Sequence, residues 1–320
     1  MKHCFIINPA SGKANTKEGL EDKIRAACER AEAEYDVLYT KSQGDAACLI
    51  KEYFEANADG ELRFYACGGD GTLCEVATAV MSLDDRARVS VGVVPVGTGN
   101  DFVKVFSGKE SFLDMDAQLA ATSVAIDLIK CNDIYAVNMI NIGFDSEVVV
   151  KTADIKKKKF IPSKLAYICG LIATLIKKPG VEMDVSINGG EPEHKKLLLT
   201  TFANGQFCGG GFHSNPRSGL RDGVIDTLFI QDVPRIKFIS MVGDYKNGTH
   251  LVDKYKKIIE HLRESEYDMV FSKPTNVSVD GEIIKMDSAH ISVERDALNI
   301  LVPRGARCES LVEKAEEVLI

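Results

Sequence analysis

The run LRFYAC ends in Gly68-Gly69-Asp70-Gly71-Thr72, three glycines around one carboxylate. Glycine reaches positive φ and lets a ligand approach the main chain closely. Backbone N–H groups at a helix start favour phosphate. Asp70 alone would repel phosphate, so its presence fits a held Mg²⁺, bound directly or through water, because Mg²⁺ takes oxygen ligands and bridges phosphate oxygens. Thr72 is read as the residue before a helix, with a hydroxyl able to cap it. A plain strand-to-helix turn is the competing reading, but three glycines exceed what such a turn needs. Two more loops have the same character. NPASGK, from Asn8 to Lys13, follows the first apolar run, and GTGND, from Gly97 to Asp101, follows another. NPASGK is not a Walker loop, since it lacks the upstream glycine and Ala14 follows the lysine. Each alone is a weak signal, because Asn-Pro and Gly-Asn mark ordinary turns.

The elements around these loops must place them. The first half alternates strands and helices: KHCFIINP, then 16–35 with Leu20, Ile24, Ala27 and Ala31 on one helical face, DVLYT, a helix to about Gly60, LRFYAC, a helix over 72–83, and VSVGVVP. Strands alternating with helices across short connections make a parallel sheet covered on both faces. Ligands in such folds sit at the carboxyl ends of the strands. Three glycine loops at strand ends are therefore expected to converge on one edge, as a nucleotide site with Mg²⁺. From about Ile126 the pattern changes to alternation, with Asn188-Gly189 as a hairpin signal. This is an antiparallel region, interrupted by helices expected near 162–177 and 234–263, and the tail from Cys308 reads as helix. The expected domains are 1–126, 127–303 and a C-terminal helix over 304–320.

Composition sets limits. The chain has 320 residues, 45% hydrophobic and 27% charged, with net charge −8. That is an ordinary globular composition with room for two cores, and it argues against nucleic acid as a partner. The nine cysteines form no C-x-x-C pair, so neither a disulfide framework nor a zinc site is expected, and a reducing cytosol is the natural compartment. The N-terminus has too short an apolar core for a signal peptide. The longest apolar run, Leu165–Ile176, has 12 residues, too short to span a bilayer. Its flanks, Lys156–Lys159 and Lys177-Lys178, read as the solvated ends of a buried helix, or alternatively as a helix beside a membrane surface.

NPASGK, GGDGT and GTGND, in this order and spacing, resemble the bacterial diacylglycerol kinase family, itself similar to sphingosine kinases. NMINIGFDSEVV, GGGFHSNPRSGLRDGVIDTLFI and VDGE resemble that family's later motifs, so the likeness covers nearly the whole chain. It implies an α/β N-terminal domain with a parallel sheet, similar to phosphofructokinase and NAD kinase. A C-terminal antiparallel β-sandwich domain with helices follows, and the last helix is free to return to the first domain. It implies transfer of the ATP γ-phosphate to a lipid hydroxyl, most simply diacylglycerol. Asn8, Pro9, Ser11, Gly12, Lys13, Thr40, Gly68, Gly69, Asp70, Gly71, Thr72, Glu75, Gly97, Thr98, Asn100 and Asp101 would surround the nucleotide. Asp222, with the carbonyls of Gly219 and Val224, would hold a structural Mg²⁺. Asp280 and Glu282 would form the catalytic acidic pair, and Asp70, the third catalytic residue, would serve Mg²⁺-ATP. Arg217 and Arg221 depart from the family's usual smaller or uncharged residues.

On local grounds alone Asp280-Gly281 reads as a type I′ hairpin turn, and Asp222-Gly223 likewise. The chemistry favours more for Asp280, because an alcohol needs a carboxylate to accept its proton as the phosphoryl group transfers. Expected partners are ATP, a lipid alcohol and the cytoplasmic face of a membrane, met peripherally, with a homodimer left open. An NAD kinase-like phosphotransferase and a non-catalytic lipid- or nucleotide-binding regulator are the alternatives.

Overall fold

A computed structural model describes residues 1–12, 19–143, 146 and 180–311. The chain divides into two units. The first contains Met1–Leu128, Gly219–Asp222 and the chain from Glu294 onward; the second contains Ile129–Ser218 and Gly223–Val293. The division is not the contiguous one expected at 126/127 and 303/304. The physical reason is strand β13 (Glu282–Val302), long enough at 21 residues to begin in one unit and end in the other.

In the first unit β1 (Lys2–Ile7) lies between β2 (Tyr35–Tyr39) and β3 (Leu62–Gly68), followed by β4 (Val89–Pro95) and the end of β13, where Ile300 faces Val91. Every one of these pairings is parallel. The β1, β3 and β4 strands are buried along nearly their whole length, as a parallel sheet covered on both faces requires. On one face Phe5, Ile7, Tyr65, Cys67 and Val94 pack against Leu20, Ile24 and Cys28 of α1 (Leu20–Ala31) and Met115 of α4 (Met115–Leu119). Helices α2 (Asp45–Ala56) and α3 (Asp70–Met81) pack on each other. Since β2 and β3 flank β1 on opposite sides, the strand order reverses at β1, the usual place for a ligand in such a sheet.

The second unit is antiparallel. It runs β11 (Ile259–Glu264), β10 (Ile225–Gln231), β9 (Glu193–Ala203), β7 (Met139–Gly143), β12 (Glu266–Val279) and the first part of β13, with β8 (Val181–Ile187) paired to both β9 and β12. Strand β5 (Thr122–Cys131) enters it and pairs with β6 (Ile134–Ala136). Helix α5 (Arg235–Asn247) packs Phe238, Met241 and Tyr245 onto Leu228, Ile230, Tyr255 and Ile259.

Two local expectations are corrected. The helix expected over 234–263 ends at Asn247, where Gly248 takes φ 72, and 259–264 joins β10 as a strand. The third helix begins at Asp70 rather than after Thr72, so Thr72 sits inside its first turn and caps nothing. The helix expected near 162–177, its lysine flanks, and the tail beyond Leu311 lie outside the described residues. Among the described residues no helix is long and apolar enough to cross a membrane.

Candidate active site

The parallel order of β1, β3 and β4 brings the three glycine loops together at the carboxyl ends of neighbouring strands. Asn8 continues β1, its N–H donating to the Cys67 carbonyl at 3.1 Å. Its side-chain amide donates to Thr72 Oγ1 at 3.1 Å, and Ser11 Oγ lies 3.4 Å from the same hydroxyl. Thr72 therefore joins the first loop to the second. Gly68 is required for this, because a Cβ there would lie 2.1 Å from Thr72 Oγ1.

The second and third loops meet through glycines. The Gly97 N–H donates to the Gly68 carbonyl at 2.9 Å, and a Cβ on Gly97 would lie 2.4 Å from Gly69 Cα. Gly12, at φ 70, would place a Cβ 1.9 Å from the Val96 carbonyl oxygen. At both positions the obstacle is main chain, which cannot rotate away. Asn100, at φ 49, folds its amide back to donate to the Pro95 and Gly97 carbonyls at 2.9 Å each. The Thr40 N–H donates to Ile7 at 3.0 Å, which sets the end of β2 beside that of β1. Glu75 receives the Gly44 N–H, and burial raises its carboxyl above the ordinary range. Pro9, Gly71 and the exposed Thr98 lie within these same loops; Lys13 lies outside the described residues.

Asp70 is the electrostatic centre. Its carboxylate accepts the N–H of Asp101 at 3.0 Å and of Phe102 at 3.1 Å. Burial, and then the negative charge of Asp101, raise its pKa, against those two N–H groups and Lys104. Asp101 is buried and pairs with Lys104. Two close carboxylates balanced by one lysine leave an excess of negative charge around oxygen donors. That donor set fits Mg²⁺, and because both Asp70 oxygens already accept an N–H, it fits an anchor for the ion's water shell. Lys104 and the N–H of Phe102 were not legible as site groups. An aspartate and a lysine three apart are a weak signal, and a backbone donor carries none.

In 219–224, Asp222 folds its carboxylate over Gly219, where a Cβ would lie 2.9 Å from Oδ2. That cradle suits a carbonyl-and-carboxylate set for a hard cation. Gly223 takes positive φ but Asp222 does not, whereas a type I′ turn needs it at both central residues, and the connection between the paired strands β9 and β10 runs from 204 to 224, so the type I′ hairpin reading does not hold for it. Val224 follows just before β10. Arg221 is tied up with Asp296 at 2.5 Å.

Asp280-Gly281, at φ 46 and 92, do form the tight turn between β12 and β13, as their local sequence indicates. Asp280 is buried, and its carboxylate faces inward. It accepts N–H groups from Val137 at 2.7 Å, Asn138 at 3.1 Å and Met139 at 2.7 Å, while its own N–H donates to the Met139 carbonyl at 2.9 Å. The expected free proton acceptor is thus also an anchor for the β6–β7 turn. Glu282 pairs with Val279 across the turn and is half-buried.

The diacylglycerol kinase catalytic domain family matches residues 2–131, and the YegS C-terminal NAD kinase beta sandwich-like domain matches 138–302. A diacylglycerol kinase of Bacillus subtilis is 30% identical over 296 residues, covering 88% of this chain and 90% of its own. The chain belongs to the diacylglycerol kinase and YegS family of lipid kinases. A Pseudomonas fluorescens protein named "Probable lipid kinase YegS-like" is 28% identical, covering 91% of this chain and 94% of its own. The crystal structure of a diacylglycerol kinase from Bacillus anthracis superposes with a TM-score of 0.66 at 17% identity, covering 95% of this chain and 97% of its own. That structural likeness supports the fold.

Proposed function

We propose that this lipid kinase transfers the γ-phosphate of ATP to the free hydroxyl of diacylglycerol, giving phosphatidic acid and ADP. The observation that carries the reading is the convergence of the 8–12, 68–72 and 97–101 loops around Asp70 and Asp101. There the loops pack main chain to main chain, and the helix that starts at Asp70 has no side-chain cap at its N-terminus, an end whose N–H groups favour phosphate, beside an excess of carboxylate. Asp70 and Asp101 would hold Mg²⁺, which would supply charge neutralisation of the transferring phosphates. Asn8, Ser11, Gly12 and Thr72 with the Gly68–Gly71 main chain cradle the nucleotide, with Pro9, Lys13, Thr40, Glu75, Gly97, Thr98 and Asn100 around it.

In the reaction the acceptor oxygen forms its bond to the γ-phosphorus, the bond to the β,γ-bridging oxygen breaks, and ADP leaves. The hydroxyl proton passes to the acidic pair Asp280 and Glu282, in which Asp280 also holds the β6–β7 turn. Asp222, with the carbonyls of Gly219 and Val224, would hold a structural Mg²⁺. The enzyme meets its substrate peripherally, at a membrane surface.

Radiolabelled ATP and Mg²⁺ are incubated with diacylglycerol, monoacylglycerol, a sphingoid base, a polyprenol and NAD in parallel. Label in phosphatidic acid is the expected result. Label in a different lipid corrects the acceptor, and label in NADP restores the NAD kinase reading. ATP binding without transfer to any acceptor supports a non-catalytic regulator.

A further inference from the structure

Helix α5 is apolar on two sides. Phe238, Met241 and Tyr245 point into the second unit's core, whereas Ile236 and Ile239, one turn apart, are 84% and 55% exposed. Residues three apart share a helix face, so the two isoleucines form one outward patch. Val252, 45% exposed, belongs to the neighbouring turn. Lys237 Nζ lies 5.8 Å from the Tyr255 ring centre and Lys254 Nζ lies 4.6 Å from it, which sets the 252–257 turn beside the first turn of α5. Isolated exposed apolar residues are ordinary, but a cluster on one face marks a docking surface.

Charge identifies the occupant. From Arg235 to Lys257 six basic residues stand against two aspartates, a net +4 in a chain of net −8. Lys237, Lys256 and Lys257 are exposed. Arg217 and Lys256, with one carboxylate from Asp253, line a shallow hollow with Val252 and Tyr255, and Arg217 is the family departure that the structural-metal loop does not use. Apolar side chains ringed by lysine on an otherwise acidic protein match the boundary of an anionic bilayer, where isoleucine enters the acyl edge and lysine meets the headgroups.

We propose that the outer face of α5 with the 252–257 turn is the surface by which this protein docks on an anionic lipid bilayer, Arg217 and Lys256 receiving a headgroup phosphate. The docking face rests on the lipid-acceptor reading for its purpose but not for its test, since vesicle binding needs no turnover.

The full chain is sedimented with vesicles of phosphatidylcholine alone or mixed equally with phosphatidylglycerol. Binding to the mixed vesicles that weakens with salt is expected. Lys237→Gln/Lys256→Gln/Lys257→Gln is expected to weaken it about fivefold per lysine, about a hundredfold together. Ile236→Asn/Ile239→Asn is expected to weaken it about tenfold. Both variants should phosphorylate a water-soluble short-chain diacylglycerol like the unsubstituted protein. Failure of that activity in every form, with vesicle binding as described, sinks the acceptor and leaves the docking face standing. The chain has no tryptophan, so Ile239→Trp gives one fluorescent reporter. Its emission is expected to shift to the blue with mixed vesicles and to be quenched by brominated acyl chains. Equal binding to both vesicle types, undiminished binding by the isoleucine variant, or an unshifted tryptophan overturns the proposal. So does a self-association that the isoleucine variant abolishes while vesicle binding persists.

Discussion

The Asp70 carboxylate accepts the backbone N–H of Asp101 at 3.0 Å, so the loop after β3 is latched to the loop after β4 by the residue proposed to serve the metal. The same contact sets two carboxylates close together. Binding geometry and electrostatic tension have one source.

The first prediction concerns pH. Burial and Asp101 raise the Asp70 pKa, so the native state holds this proton more tightly than the unfolded chain does. Stability therefore falls as pH rises from the ordinary carboxylate value, about 4, through the raised native value. Mg²⁺ is expected to restore melting temperature above that window and to do little below it. Asp70→Asn should remove both the pH slope and the pH-dependent part of the Mg²⁺ response, and abolish transfer. Thermal melts across pH, with and without Mg²⁺, check this; an unchanged slope in the variant removes Asp70 as its source.

The second concerns the glycines. Gly97→Ala forces a methyl into the Gly69 main chain, which is expected to destabilise by about 1–3 kcal/mol and to weaken nucleotide binding. Gly243→Ala on α5 meets no neighbour and is expected to stabilise by about 0.5–1 kcal/mol with nucleotide binding intact. Denaturant melts and nucleotide titration of both variants separate the loop's needs from glycine's general cost.

The loops of the first unit were legible because their glycines and strand ends follow one another locally, and a parallel sheet leaves few ways to arrange them. Thr72 reads locally as the residue before a helix but lies inside its first turn. Its hydroxyl goes to Asn8 and Ser11, partners about sixty residues away that no local rule names. The strand at 259–264 is hidden for a similar reason, since its antiparallel partner β10 lies well upstream, with Ile225 facing Glu264 and Ile230 facing Ile259. Asp280 was legible as a turn residue and as a motif, but its inward hydrogen bonds run to the main chain at 137–139, where side-chain identity carries no signal.

The third prediction tests the 219–224 loop. Asp222→Ala should lower the melting temperature and eliminate the part of Mg²⁺ stabilisation that survives in Asp70→Asn, because a ligand bound only to the native state stabilises in proportion to its occupancy. Calorimetry on the two single variants and the double variant reads this. A variant that melts like the parent at every Mg²⁺ concentration would make Asp222 a turn residue.

The last prediction separates the two tasks given to the acidic pair. Asp280 holds three main-chain N–H groups, so Asp280→Asn is not a silent change of charge. An asparagine presents one oxygen and one N–H₂ to donors that all need an acceptor, and at least one buried N–H loses its partner. A stability loss of about 1–3 kcal/mol is expected from that alone. Turnover is expected to fall by about two to four orders of magnitude, the scale of a lost general base, with nucleotide affinity retained because the nucleotide loops belong to the other unit. Glu282→Gln leaves the three N–H groups in place. It should therefore melt like the parent and lose turnover, with a changed acid limb in the pH dependence of kcat/KM. If Asp280→Asn melts lower yet turns over at the parent rate, the carboxylate is an anchor only. The proton then passes to Glu282 if that variant is inactive, and the acidic pair leaves the mechanism if it is active as well.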